Sequence, residues 1–545
     1  MRRIAYRFLA AVSPARVGTG ALARPSRAQL GCRRRPQQLS IRPGLRCAAL
    51  VMSLISSVIS IVISSINATA ETRPHYGGTL RVMLQSAPNA LELPVNATPA
   101  DYWDIARTLS LVGDTLVRLD AQGRPQPALA VAWQSDASAR HWQFTLRRGV
   151  KFHDGSAASP AAIAQILGTL HSGWSVRAEA DAVSIDSETA TPLLLAELAL
   201  PRNLLLKGNA TGVPIGTGPF VVAGWRPGKQ LQLAAYEDCW AGRPFVDAVE
   251  IEFGRSLRDQ AIAFELDKTD VIEAAPQAAS GSQSHGTSSS SSSSLSLPVE
   301  LLALVFSANA KAEDPRLREA LALAIDRKPI QSVLLKGAGE PAGSILPNWM
   351  TGYSAVFSAQ ANLQRARSAL LLADSRQPAL NLSYGLSYDP RDSQAQLIAE
   401  RIALNAREVG ITVQVSLSGA EDIRLMRVVL PSPDPATSLG EAARQLGLQP
   451  PVFSTPRNSL DDLYQAERSL LEGHAVIPLF HLPVASAASG RVRGWEPDRL
   501  GGWSEAGFSL ADLWLADRSL ADQRLADQGP GDSRSYGPQP GAGSR

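Results

Sequence analysis

The chain has 545 residues, 45% hydrophobic and 19% charged, enough for two or three domains around a large core. Its formal charge of +3 comes from a leader: residues 1–47 hold eleven Arg and no acid, so from Glu71 onward 42 basic residues face 50 acidic ones. That acid-leaning body excludes a nucleic-acid footprint. Beyond the leader only Cys239 remains of three cysteines, which excludes an intramolecular disulfide or a Cys-built metal site there.

Cys47 to Ile66 is an apolar and serine run, followed by the small-x-small exit Ala68-Thr69-Ala70. A basic flank, an apolar stretch and a small-residue exit read as an export signal. Cleavage and retention as an N-terminal anchor are both compatible with the run's length. Either way the basic flank keeps the N-terminus inside and places residues 71–545 across the membrane, in the periplasm.

Tyr76 to Val82 reads as a turn entering a strand, and Asp101 to Leu119 as a helix running into an extended segment. Trp142 to Leu146 alternates as a strand does, and Pro160 to Leu170 is a helix. Ser172 to Leu200 gives strand pieces and a short helix. At Gly216-Thr217-Gly218-Pro219 two glycines and a proline force a tight loop before a strand. Gly281 to Ser294 is Ser-rich and reads as a solvated, flexible loop. Leu301 to Asn309 reads as a buried strand.

Asp314 to Pro347 is the most patterned stretch. Asp314 caps a helix whose first residue is Pro315, and Leu317, Ala320, Leu321, Ala324 and Ile325 form one apolar face. Asp326 caps a second helix that ends at Gly337. Asn362 to Ala373 is helical, and Leu380 to Tyr388 is a strand. Asp392 to Val409 is an amphipathic helix stopped by Gly410, and Ile411 to Val415 is the next strand, a βαβ signal. Leu439 to Leu460 is poorly patterned. A helix over Leu463 to Leu471 precedes a strand over His474 to His481. From Ser509 a Leu-Ala-Asp repeat of five residues matches neither helix nor strand and predicts at most a frayed helix.

Chemistry-bearing motifs are few. His153 and Asp154 sit in a turn with Gly155, where local backbone groups satisfy them. His474 and His481 lack the third ligand a metal site needs. Gly216 to Pro219 is too short for a phosphate loop and lacks its Lys. No cofactor and no enzymatic activity are expected.

Several motifs fall in one order: GGTLRV at 77–82, LVRLD at 116–120, WQFTLRRGVKFHDG at 142–155, GTGPF at 216–220, the Asp314 to Pro347 run, and the 392–415 helix–strand unit. Together they resemble the family 5 extracellular solute-binding proteins, the peptide and nickel receptors of ABC importers. The resemblance implies an α/β, two-lobed periplasmic-binding-protein-like fold of type II. Residues 71–278 and 470–515 would form lobe I and 298–469 lobe II. Residues 1–70 would be leader, 279–297 a Ser-rich loop, and 516–545 a disordered tail.

The same resemblance implies a small solute or peptide ligand buried between the lobes, ABC permease subunits as partners, and a monomer. It points Asn89, Leu91, Glu92, Trp349, Tyr384, Asp389, Leu430 and Ser432 toward the cleft. The stretch 172–215 is shorter than the family's usual insert. In peptide-binding relatives an Asp near 431 would pair with the peptide amine; here Pro431 stands three residues before Asp434-Pro435, without charge or N–H. Peptide is therefore the family default, with nickel chelate and sugar open. A sensor that has lost transport, or a periplasmic hydrolase, are the alternatives.

Overall fold

A computed structural model describes residues 74–516 except 94–98, 209–211, 277–290, 308–313, 375–382, 418–421, 454–458, 496–498, 503, 506–507 and 510–511. The chain divides into two compact units, residues 1–72 and 73–545. The first unit, with the expected leader and export signal, lies outside the described residues, as does the expected tail beyond 516.

The larger unit is built on one eleven-stranded sheet that serves both lobes. Its first-lobe half holds β1 (Thr79–Met83) and four more strands, β2 (Phe220–Arg226), β3 (Gln230–Ala235), β4 (Ala248–Glu252) and β5 (Val271–Ala274). The order β2-β3-β4-β1-β5 then reaches two long strands, β6 (Ser292–Phe306) and a later strand over Val476–Ala488 that pairs with both β5 and β6. Beyond β6 lie the second-lobe strands β7 (Ser383–Ser387), β8 (Thr412–Ser416) and β9 (Ile423–Val429), in the order β9-β7-β8. The late strand, Val476–Ala488, is β10.

β6 and β10 are the crossover. They pair antiparallel from Ser292–Ala488 to Val305–Val476, with register shifts on either side of Pro298, which stands opposite Pro483. Neither proline can donate to the ladder, so the pairing is interrupted where the two strands pass between the lobes.

Lobe II packs helices on both sheet faces. α1 (Pro315–Ala324) starts at Asp314, whose carboxylate accepts from the Arg316 N–H. It buries Leu317, Ala320, Leu321 and Ala324. α2 (Ser393–Arg407) is capped by Asp392, which accepts from the N–H groups of Gln394 and Ala395. It joins parallel β7 and β8 and buries Ala395, Ile398, Ala399 and Ile402 in the same core. The turn after it uses Gly410 at φ +91°, where a side chain would be strained. In lobe I a separate core forms under a four-stranded sheet from residues 130–187, around Phe144, Phe152, Ile163 and Leu167. Each such fully buried side chain contributes roughly 1.5–3 kcal/mol.

The structure departs from the sequence reading in three places. β6 begins at Ser292, inside the stretch 279–297 read as a flexible loop. Small serines let the backbone pair with Ala485–Ala488, and the hydroxyls of Ser294 and Ser486 lie 2.7 Å apart. The poorly patterned stretch after Leu439 opens inside a helix, α3 (Pro435–Gln445), capped by Asp434. The described part of the five-residue repeat is a strand rather than a helix. Trp514–Leu515 is a short strand paired with Val492–Arg493, and Leu513 through Ala516 are buried, because this edge closes the first-lobe core.

Candidate functional site

Between the lobes lies a cavity of about 1250 Å³. Its first-lobe wall comes from the exit of β1 (Gln85, Ser86), from the helix Pro99–Leu109 (Tyr102, Trp103, Asp104, Arg107) and from Glu273 on β5. Its second-lobe wall comes from the loop after β7 (Asp389, Arg391), the start of α2 (Asp392), the end of β9 (Arg427, Val429) and α3 (Glu441, Arg444, Gln445). Glu300 on β6 and Pro483 to Ala485 on β10 close the back, beside the crossover prolines.

These side chains converge because each element ends at the cleft. The helix Pro99–Leu109 lies against β9, and Trp103 and Ala106 meet Val429 in an apolar contact between lobes. Arg107 lies 2.5 Å from Asp104 and 2.9 Å from Glu273. Glu273 also accepts from the Gln85 backbone N–H at 2.6 Å and from Gln260 Nε2 at 3.1 Å. Arg427 donates to Asp392 at 2.6 Å and to Glu300 at 3.0 Å.

Among the described residues, two ion pairs that cross the cleft stand out. Arg391 donates from both terminal nitrogens to Asp101, at 2.7 and 3.1 Å, and also to Asp389 of its own loop. Arg202 pairs with Glu441 of α3 and with Glu197 of its own lobe, and Arg444 donates to Glu441 at 2.9 Å. Six arginines on the lining, at 107, 202, 391, 424, 427 and 444, thus stand against eight carboxylates on or paired to it, at 101, 104, 197, 273, 300, 389, 392 and 441.

The electrostatics follow from this crowding. Burial pushes the Asp104 carboxyl up to about 6 against the attraction of Arg107, and Glu273 and Asp101 add to the rise. Burial likewise raises Glu300, opposed by Arg427 and reinforced by Asp392 and Asp104. Burial also works against charging Asp389, but its bonds from Arg391 outweigh that and hold it below the usual carboxylate range. The Tyr102 phenol is raised, chiefly by burial and then by the Glu441 charge.

Of the residues the resemblance pointed to the cleft, the structure brings only Asp389 to this cavity. Ser432 lines a smaller neighbouring space of about 130 Å³ behind Trp103 and Arg107, together with Pro431. Leu91 is 5% exposed in the first-lobe core. Tyr384, on β7, and Leu430, just past the end of β9, are 3% and 0% exposed in the second-lobe cores, because both side chains pack into the layers. Trp349 is pinned outside the cavity by its indole N–H, which donates to the Pro298 carbonyl at 2.9 Å. Asn89 and Glu92 are exposed; the loop before Asn89 is tied to the Gly228 turn, where the Gly228 N–H donates to the Pro88 carbonyl at 2.7 Å.

Sequence reasoning missed Asp101, Asp104, Arg107, Glu273, Arg391 and Arg427. Charges on a helix face usually meet water, and only the crowded Asp389-Pro390-Arg391-Asp392 before a helix hinted at more. Asp434 does not face the cavity. It caps α3, accepting from the Thr437 N–H at 2.8 Å.

His153 and His481 play structural parts. His153 Nε2 lies 3.0 Å from the Gly218 carbonyl and the Gly216 N–H reaches Nδ1 at 3.3 Å, so a neutral ring pins the 216–219 loop. His481 is buried with Nε2 3.0 Å from the Ile345 carbonyl. Among the described residues no group of His, Cys, Asp and Glu could hold a metal ion.

The sequence model of the bacterial extracellular solute-binding proteins, family 5 Middle, matches residues 177–427. Over that stretch the chain is a member of family 5 of the extracellular solute-binding proteins. This family-5 chain is 24% identical to the nickel-binding protein NikA of Staphylococcus aureus, over 46% of its own length and 50% of that protein's. It is 23% identical to di/tripeptide-binding protein 2 of Pseudomonas aeruginosa, over 53% and 63% of the two lengths. The alignments thus span about half to two thirds of these curated relatives. In three dimensions it matches the periplasmic binding protein AgaA of A. tumefaciens, solved with agropinic acid. That match covers 81% of this chain and 99% of AgaA, with a TM-score of 0.69 at 19% identity. The shared fold is the two-lobed one the sequence motifs implied. Among the described residues no helix is long and apolar enough to cross a membrane.

Proposed function

We propose that this family-5 protein is an extracytoplasmic receptor that captures a solute between its lobes, by family default an oligopeptide, and delivers it to the permease subunits of an ABC importer. The observation that carries the reading is the 1250 Å³ cavity walled by both lobes and bridged by the Arg391–Asp101 pair. A cavity shared in this way forms only when the lobes meet, so ligand and closure are linked. The lobe limits read from the sequence belong to this reading, with β6 now starting inside the former loop. Export by the leader, action as a monomer, and binding without turnover are parts of it as well.

A solute that binds only the folded protein stabilises it by RT ln(1 + [L]/Kd). A thermal-shift screen of the purified chain against di- to hexapeptides, nickel chelates and oligosaccharides tests the reading. A rise in Tm with one class supports it; a folded protein that responds to none counts against it. One observation favours a second reading, a sensor that has lost transport: Pro431 stands where peptide-binding relatives would place a charged partner for the amine. Solute binding without any association with permease subunits would select that reading.

A further inference from the structure

Among the charged groups of the cavity, three guanidinium groups are each shared by two carboxylates: Arg107 by Asp104 and Glu273, Arg427 by Glu300 and Asp392, Arg391 by Asp101 and Asp389. Each trio keeps one negative charge in excess. The Arg202 and Arg444 group balances its two glutamates. Among the described residues of the lining, Arg424 offsets part of the excess, and it is exposed where the trios are at least partly buried.

The excess is concentrated at Asp104 and Glu300. Asp104 comes from lobe I, on the helix Pro99–Leu109, and is 6% exposed. Glu300 comes from the crossover strand β6, and its side chain is 16% exposed. Each is raised by burial first, and the Asp104 charge raises Glu300 further. Carboxylates crowded in this way are relieved by a cation placed between them.

A second feature points to the same ligand. Trp103, 8% exposed, lines the cavity one residue before Asp104, and its indole Nε1–H has no partner among the described residues. A buried donor left unpaired is destabilising, and a ligand oxygen would relieve it. The aromatic faces of Trp103 and Tyr102 beside the carboxylates also attract a positive charge.

We propose that the solute taken by this protein is an organic cation, an amine or guanidine, seated between Asp104 and Glu300 with an acceptor oxygen toward the Trp103 indole. This rests on the solute-capture reading and names the class of solute. Anions are disfavoured because the guanidinium groups of the three trios are already committed. Because the two carboxylates sit on different parts of the fold, the cation also draws the walls of the cavity together.

The test is calorimetric titration of the purified full chain with agmatine, L-arginine and a lysine tripeptide. The controls are L-citrulline, the same tripeptide with norleucine for lysine, and glutarate. At least one cationic probe is expected to bind ten-fold or more tighter than its uncharged counterpart. Asp104→Asn and Glu300→Gln should each lower the ratio of cation to counterpart affinity ten-fold or more, with unchanged circular dichroism. Equal or tighter binding of the uncharged or anionic probes overturns the proposal while solute capture stands. So does an unchanged cation preference in both folded variants. No binding by these probes or by the wider solute panel overturns solute capture and this inference together.

Discussion

Arg391 of lobe II reaches across the cleft to Asp101 of lobe I, with its two terminal nitrogens 2.7 and 3.1 Å from the two carboxylate oxygens. The residues are 290 positions apart in the chain. A two-pronged pair of this kind fixes orientation as well as distance. It joins the lobes at the cavity rim, where the Arg391 side chain is 35% exposed and that of Asp101 22%. Partial exposure screens the pair, so its worth to closure is about 1 kcal/mol.

Arg391→Ala should therefore favour the open form about five-fold, since 1.36 kcal/mol is a factor of ten. Small-angle scattering should show a larger radius of gyration without ligand, and saturating ligand should restore the compact form. If the radius stays the same, the apolar contact of Trp103 and Ala106 with Val429 holds the lobes by itself.

Asp434→Ala tests the cap of α3. The Asp434 carboxylate accepts from the Thr437 N–H, and the helix it starts carries Glu441, Arg444 and Gln445 to the cavity. Loss of a cap of this kind costs about 0.5–2 kcal/mol. Urea unfolding should show that loss, and solute affinity should fall with it because α3 carries one wall of the site. Unchanged stability would show that the burial of Ala436, Leu439 and Ala442 holds the helix start without the cap.

Gly216→Ala tests the loop that His153 pins. A Cβ at Gly216 would lie 2.0 Å from the Val112 carbonyl oxygen, which is backbone and cannot swing away. The adjoining Gly218 N–H donates to that same oxygen at 2.9 Å. Overpacking here should cost about 3 kcal/mol and lower the yield of folded protein. A wild-type urea midpoint in the variant would contradict the close packing of this loop on the Leu111 to Gly113 turn.

Glu467→Gln tests a buried carboxyl outside the cavity. Glu467 is 0% exposed, accepts from the Leu346 N–H at 2.7 Å and from the Tyr353 hydroxyl at 2.5 Å, and is pushed up to about 7 by burial. A carboxyl raised above its unfolded value of 4.5 holds its proton more tightly when folded. Its contribution is fully present below about pH 4.5 and is lost as pH rises through about 7, amounting to about 3 kcal/mol. Gln keeps an acceptor for Leu346 and carries no charge. The variant should be more stable than wild type at pH 8, and the difference should vanish near pH 4.5 in urea titrations. A constant difference at all pH values would mean that Glu467 does not titrate in this window.

Helix starts were legible from single residues. Asp314-Pro315 and Asp392 announced α1 and α2 because a cap acts within three residues of itself. The same Asp-Pro signal stood at Asp434-Pro435 and marked α3, but the resemblance to a ligand segment drew it toward the cleft instead. Serines 292–294 carried no strand pattern; their extension is imposed by pairing with β10. Tyr384 and Leu430 were drawn to the cleft by their place in the motif order, although a strand's alternation allows either face and the packing put both in cores.

What the sequence alone determined is the family, the two-lobed fold, the caps, the apolar helix faces and the βαβ unit, all set by contacts within a few residues or by motif order. The tertiary structure decided the site. Asp101, Asp104 and Arg107 read as an ordinary polar helix face until β9 packs against that helix and closes them in with Arg391, Arg427 and Glu300. Burial and the pairing of distant charges are what turn those side chains from solvated surface into a recognition site. Both depend on which strand ends meet across the cleft, a property of the folded chain that no local pattern encodes.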